Sequence, residues 1–322
     1  MSAFFRFAVP FRKLPCLCLL FFLAGLLASG CKSKPVPVSE KPAPQIASSL
    51  DFSGIEADSP DIFRLSFLLR IDNPFPSSGQ AVLKSWEAEI NGQTACRVTY
   101  LQKESNSGFN LIVPDSGKFT LNAASGHDDN MIPSSAVFPL VLDMDVEALA
   151  AIGLAPADEY IIQLSLNLEA SIGTGNPQKI IARGIAQFPG VQAPSFSITS
   201  IAILKAELIN TRFRVGLKID NPNPYPVELS AFGYELYGNG RLWADGIEKN
   251  IIRVNKKSSL EGNLFLIMNF INMKRDLLDQ IINLEDVNYR FTGEALVITG
   301  VDYLPKFQTS FDLSGYSQVF DN

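Results

Sequence analysis

Ile219-Asp220-Asn221-Pro222-Asn223-Pro224 closes a run in which Phe213, Val215, Leu217 and Ile219 alternate with Arg212, Arg214, Lys218 and Asp220. A period of two marks a strand with one buried face. Proline cannot donate to a ladder and keeps the preceding residue extended, so the strand stops at Asn221 in a fixed direction. The asparagine amide is placed to bond main-chain groups that the prolines leave unpaired. The same signal occurs once before, as Ile71-Asp72-Asn73-Pro74-Phe75-Pro76, after Phe63, Leu65, Phe67, Leu69 and Ile71 on one face. At both places the expected role is structural, a strand end and a corner.

The two motifs lie 148 residues apart. The same register pairs Arg64 with Arg212, Leu69 with Leu217, Trp86 with Tyr234, Glu87 with Glu235, and Asn91-Gly92 with Asn239-Gly240. A repeat this long exceeds any solenoid period, so each copy is expected to be a domain with its own core. Short alternating segments between turn signals indicate an antiparallel β-sandwich in each half, of immunoglobulin or fibronectin-III type, with one α-helix. The expected divisions are a leader over 1–30, a tether over 31–47, a first domain over 48–190 and a second over 191–322.

In the first half, Val82, Trp86, Ala88 and Ile90 are expected on one strand face before the Asn91-Gly92 hairpin turn. Polar residues from Lys103 to Asn130 predict one hairpin and loops, and hold about 21 residues that the second half lacks, by the motif-to-helix spacing. A helix is expected from Asp145 to about Gly153, followed by strands through Tyr160–Leu168 and Ile180–Ala186. In the second half the helix is expected from Ile271 to about Glu285, with Leu277, Leu278, Ile281, Ile282 and Leu284 facing the core.

The motif and its surroundings resemble the WHy domain (water stress and hypersensitive response) of the late-embryogenesis-abundant type 2 family, in which a strand ends in Asn-Pro-Asn-Pro-aromatic. Tyr234-Glu235-Leu236 and Asn239-Gly240 reproduce the Tyr-x-Leu strand and Asn-Gly turn that follow, and Ala244-Asp245-Gly246 the later part. The first copy departs from the pattern, with Phe75 in place of Asn, Ser77 in place of an aromatic, and no second Gly after its turn. The resemblance spans about 48–190 and 192–320. It implies two sheets plus one helix per copy, and a non-catalytic role in stress or desiccation tolerance.

Arg6, Arg12 and Lys13 precede the apolar run Leu14 to Leu27, too short for an ordinary membrane span and followed by small residues. Leu27-Ala28-Ser29-Gly30-Cys31 resembles the lipobox of bacterial lipoproteins, in which the cysteine carries a diacylglycerol. Ala28 stands where Leu is usual. Cys31 is therefore the expected lipidation site, and the membrane, through that lipid, an expected partner. Lys32 is not the Asp that retains enteric lipoproteins at the inner membrane, so a periplasm-facing outer-membrane location is preferred. Pro35, Pro37, Pro42 and Pro44 make 32–50 an extended tether. Losing three basic residues of 27 with the leader leaves 24 against 33 acidic ones, a charge of −9, which disfavours nucleic acid as a partner. Cys16 and Cys18 leave with the leader. Cys96 then remains as an expected buried structural thiol.

His127-Asp128-Asp129-Asn130 is the one cluster with metal-ligand residue types, and it lacks the spacing of a zinc or calcium site. It is expected to be a solvated loop. With no nucleophile elbow, phosphate loop or Cys-His pairing, neither an enzyme nor a cofactor is expected. Three classes of function stand: a stress-tolerance lipoprotein, a lipid carrier whose sandwiches line an apolar groove, and an adhesin or assembly subunit of the envelope. Exposed aromatics at the far end of the second domain would favour the last.

Overall fold

The computed structural model describes residues 44–99, 108–126, 130–205, 210–269, 287–317 and 320–321. The leader, Cys31, most of the tether, His127 to Asp129 and the helix expected over 271–285 lie outside them. The described residues are mainly β, in sheets packed as sandwiches and antiparallel but for the short parallel pairing of Phe320–Asp321 with Ala202 and Ile203.

In the first half the strands are β1 (Ala47–Ser59), β2 (Ile62–Asn73), β3 (Gly79–Ile90), β4 (Gln93–Thr99), β5 (Phe109–Ile112), β6 (Lys118–Leu121), β7 (Ser134–Asp145), β8 (Glu159–Ile172) and β9 (Gln178–Pro189). One sheet runs β1-β2-β7-β5 and the other β4-β3-β8-β9, with β6 on β3. Between them lie Phe63, Leu65, Phe67, Leu69 and Ile71, all fully buried, against Trp86, Ile162, Leu164, Leu166 and Ala182. The alternation read from the sequence is this inner face. Between β7 and β8 sits helix α1 (Val146–Ala151); Asp145 caps it by accepting the Glu147 N–H at 2.9 Å, and Leu149 is buried.

The second half repeats the plan with β10 (Ser195–Lys205), β11 (Asn210–Asn221), β12 (Val227–Gly238), β13 (Arg241–Glu248), β14 (Ile252–Val254), β15 (Ser258–Asn269), β16 (Val287–Val301), β17 (Leu304–Ser317) and β18 (Phe320–Asp321). Its sheets run β15-β11-β10-β18 and β13-β12-β16-β17, with β14 on β12. Phe213, Val215, Leu217 and Ile219 face Leu229, Phe232, Leu236, Phe291 and Val297 in a second core. The common sheet β1-β2-β7, equivalent to β10-β11-β15, is extended on opposite edges, by β5 in the first half and by β18 in the second. Both Asn-Gly turns have positive φ at both residues (49° and 81°, 47° and 77°), the type I′ geometry that suits a two-residue hairpin.

Two expectations change. Val82 is on the outer side, because a register shift between Leu83 and Ser85 rephases β3; Ala81 and Leu83 face the core before it, and Trp86, Ala88 and Ile90 after it. The hairpin expected between Lys103 and Asn130 is not formed by β5 and β6. They join different sheets, β5 on β7 and β6 on β3, with a turn between them in which Asp115 and Ser116 have positive φ. From motif to paired strand the first half holds 24 more residues than the second, Ser134 pairing with Asn73, 61 residues on, and Ser258 with Asn221, 37 residues on; the second helix, from which the spacing of about 21 is counted, lies outside the described residues.

Candidate functional site

Each motif sits where the chain leaves one sheet for the other, from β2 to β3 and from β11 to β12. At such a corner, main-chain groups leave their ladders and must be satisfied in another way. Asn73 does this from a fully buried position. Its Oδ1 accepts the Phe75 N–H at 3.0 Å, and its Nδ2 donates to the carbonyls of Ser77 (2.9 Å) and Asn122 (2.7 Å). Asn221 repeats the pattern, accepting the Asn223 N–H at 3.0 Å and donating to Tyr225 O (2.8 Å) and Asn255 O (3.0 Å). The main chain adds a matching link, Ala124 N–H to Phe75 O at 2.8 Å and Lys257 N–H to Asn223 O at 2.9 Å. Each corner is thus tied to the segment after β6 or β14. Asp72 accepts from the Ser135 hydroxyl at 2.5 Å, and Asp220 from that of its cross-strand neighbour Ser259. That bond, then Lys218 at 3.0 Å, holds the Asp220 carboxyl below its usual range. Pro74, Pro76, Pro222 and Pro224 form the corners themselves, where no ladder donor is required.

The two corners differ in what they face. Asn223 is fully buried and bonds the main chain of Gln192 in both directions, each at 2.8 Å. The Tyr225 hydroxyl donates to Gly190 O at 2.9 Å. Asn223 and Tyr225 therefore grip the segment between the sandwiches. Phe75 and Ser77, their equivalents, lack those groups; with Pro76 they border a cavity of about 460 Å³ beside the β8–β9 turn. The positions at which the first motif differs from the second, Phe75 and Ser77, are those that hold the linker in the second.

A second contact completes the junction. Tyr303, in the turn between β16 and β17, lays its ring against Phe63 and Phe188 of the first core, each with centroids 5.8 Å apart, and its hydroxyl donates to Pro189 O. Phe63, Phe188 and Tyr160 are buried and mutually in contact, so a side chain of the second sandwich closes the end of the first core. Burial pushes the hydroxyls of Tyr225 and Tyr303 well above the usual phenol range, with the Asp158 carboxylate adding to the shift at Tyr225. Lys257 pairs with Asp158 at 2.5 Å across the half-exposed rim. Tyr303 carries no sequence signature, since a tyrosine in a turn is ordinary. Asn223 and Tyr225 carry one, the difference between the two motif copies.

Elsewhere, Cys96 is buried on β4. Among the described residues no group of three or more His, Cys, Asp or Glu side chains could hold a metal ion, and no helix is long and apolar enough to cross a membrane. Equivalent outer faces differ in charge. The cross-strand row Arg97, Glu87, Ser165, Arg183 in the first half becomes Asp245, Glu235, Thr292, Asp312 in the second, where Arg290 grips Asp312 through two bonds of 2.9 and 2.6 Å.

The chain matches no protein-family model and no curated protein sequence. Among solved structures it is similar to a protein from Archaeoglobus fulgidus, at 18% identity over 40% of this chain and 98% of that one, with a TM-score of 0.27. It is also similar to the periplasmic chaperone SfaE, at 13% identity over 83% and 98%, with a TM-score of 0.23. A glycosyl hydrolase family 2 member from Bacteroides cellulosilyticus matches at 8% identity, with a TM-score of 0.24, over 79% of this chain and 31% of that one.

Proposed function

We propose that this protein is a non-catalytic module of the cell envelope, tethered through a lipid on Cys31, in which two sandwiches of late-embryogenesis-abundant type 2 kind act as one stiff body to stabilise membranes or proteins under water stress. The observation that carries it is the junction. Inter-domain contacts within a chain are commonly mobile, whereas here a buried amide pairs twice with the linker and a tyrosine of one half plugs the core of the other. Such a joint suits a protein that holds a surface at a set place above a bilayer. Lipid carriage is the weaker reading, because an acyl chain needs several hundred cubic ångströms of apolar space: the cavity of about 670 Å³ in the second sandwich is lined by Glu235, Asp245, Arg290, Glu294 and Asp312, and the apolar slot has only about 240 Å³.

One observation favours the assembly-subunit reading as a second possibility. Phe265, Ile267 and Tyr316 are 66%, 63% and 79% exposed, at the end of the second sandwich away from the linker. Drying and rehydrating dye-loaded vesicles that carry the lipidated full chain tests the first reading. Leakage should fall relative to vesicles with the Cys31→Ser chain; equal leakage, with envelope proteins crosslinked at Phe265, would transfer the assignment to assembly.

A further inference from the structure

In the first sandwich the space between the sheets at the β6/β7 side is filled by two rings, Phe119 on β6 and Phe138 on β7, with centroids 4.9 Å apart. Ladder registers give their equivalents in the second. Phe119 pairs with Ala81 and Ile252 with Leu229, while Phe138 pairs with Leu69 and Gly262 with Leu217. Since Ala81 and Leu69 correspond to Leu229 and Leu217 at the repeat spacing of 148, an aromatic pair has become Ile252 and Gly262.

The consequence is a slot of about 240 Å³ walled by Leu217, Ile219, Ile252 and Leu264. A Cβ built on Gly262 meets nothing within 4 Å, and its φ is not in the left-handed region, so neither strain nor close approach requires glycine there. The slot opens beside Glu248 and Asn250. The Glu248 carboxylate accepts the Asn250 N–H at 2.8 Å, and among the described residues it has no ion-pair partner. An apolar cavity of roughly 150 Å³ suffices for benzene.

We propose that this slot is a binding site for a small aromatic molecule with a short cationic arm, the ring taking the place that Phe138 fills in the first sandwich and the ammonium group meeting Glu248 at the mouth. Ring and charge have separate determinants, so each can be removed alone. The site is independent of the tether and of the stress-tolerance reading, and its failure would leave both untouched.

The test uses the full chain in nanodiscs, titrated with 4-fluorobenzylamine and followed by ¹⁹F NMR, with 4-fluorobenzyl alcohol and 4-fluorobenzoate as companions. Saturable binding should follow the order amine, alcohol, benzoate. Gly262→Phe should weaken the amine by about tenfold or more while melting no lower than the parent. Gly262→Leu serves if the larger ring does not fold. Glu248→Gln should remove the preference for amine over alcohol and leave the alcohol unchanged. No saturable binding, or equal binding by the parent and a folded Gly262 variant, overturns the assignment.

Discussion

Gln192 and Asn223 bond each other twice, the Gln192 N–H donating to Asn223 Oδ1 and the Asn223 Nδ2 donating to Gln192 O, both at 2.8 Å. An amide side chain here acts as one more residue of ladder, joining the linker to the second corner. Asn223→Ala leaves the half-buried main-chain N–H and C=O of Gln192 unpaired, at a cost of at most about 1–3 kcal/mol. Calorimetry of the full chain should show one transition for the parent and a lower or split one for the variant. An unsplit transition at the parent temperature would count against a linker held by this pair.

Asn73→Ala and Asn221→Ala should each cost about 1–3 kcal/mol, since each removes an amide that satisfies both ends of a corner. Thermal melts read the loss. Asn221→Asp should fall short of restoring it, because a carboxylate cannot donate to Tyr225 O and Asn255 O.

Tyr303→Ala should lower the stability of the first sandwich although the residue belongs to the second, since it uncovers Phe63 and Phe188. Two ring contacts at roughly 0.5–1.5 kcal/mol each set the scale. Hydrogen exchange should show the loss at the Phe63 end of β2, and exchange unaltered there while β16 and β17 loosen would contradict a shared core.

The raised Tyr225 and Tyr303 hydroxyls make the junction sensitive to alkali. Their folded pKa values lie above the unfolded one, so the stabilisation is complete below about pH 10 and is lost as pH rises from there toward the folded values. Melting temperature should fall above that pH. The Tyr225→Phe, Tyr303→Phe double variant should fall less steeply; the same slope in both proteins would place the alkaline loss elsewhere.

Lipidation at Cys31 is expected from the basic start, the apolar run and the small residues before the cysteine. Mass spectrometry of the mature N-terminus should find a diacylated Cys31. Cleavage at another bond, or an intact Met1 or Ser2, would remove the tether from the proposed function.

The sequence by itself determined the duplication, the sandwich class and the faces of β2, β8 and β11, because a period of two and an Asn-Pro stop are local properties that the ladder copies directly. It also marked Asn73 and Asn221 as the residues on which the corners depend. Tertiary structure decided what spacing cannot encode. The phase of β3 turns on a bulge, which moves Val82 to the outer face without any punctuating residue, and the short strands β5 and β6 go to different sheets according to which edge is free. The junction is also a matter of long-range placement. Tyr303 reaches Phe63 across 240 residues of chain, and Phe138 and Gly262 become comparable only through their ladder partners Leu69 and Leu217. Contacts of that kind depend on how two finished sandwiches meet and fill, and a pattern of local alternation carries no record of it.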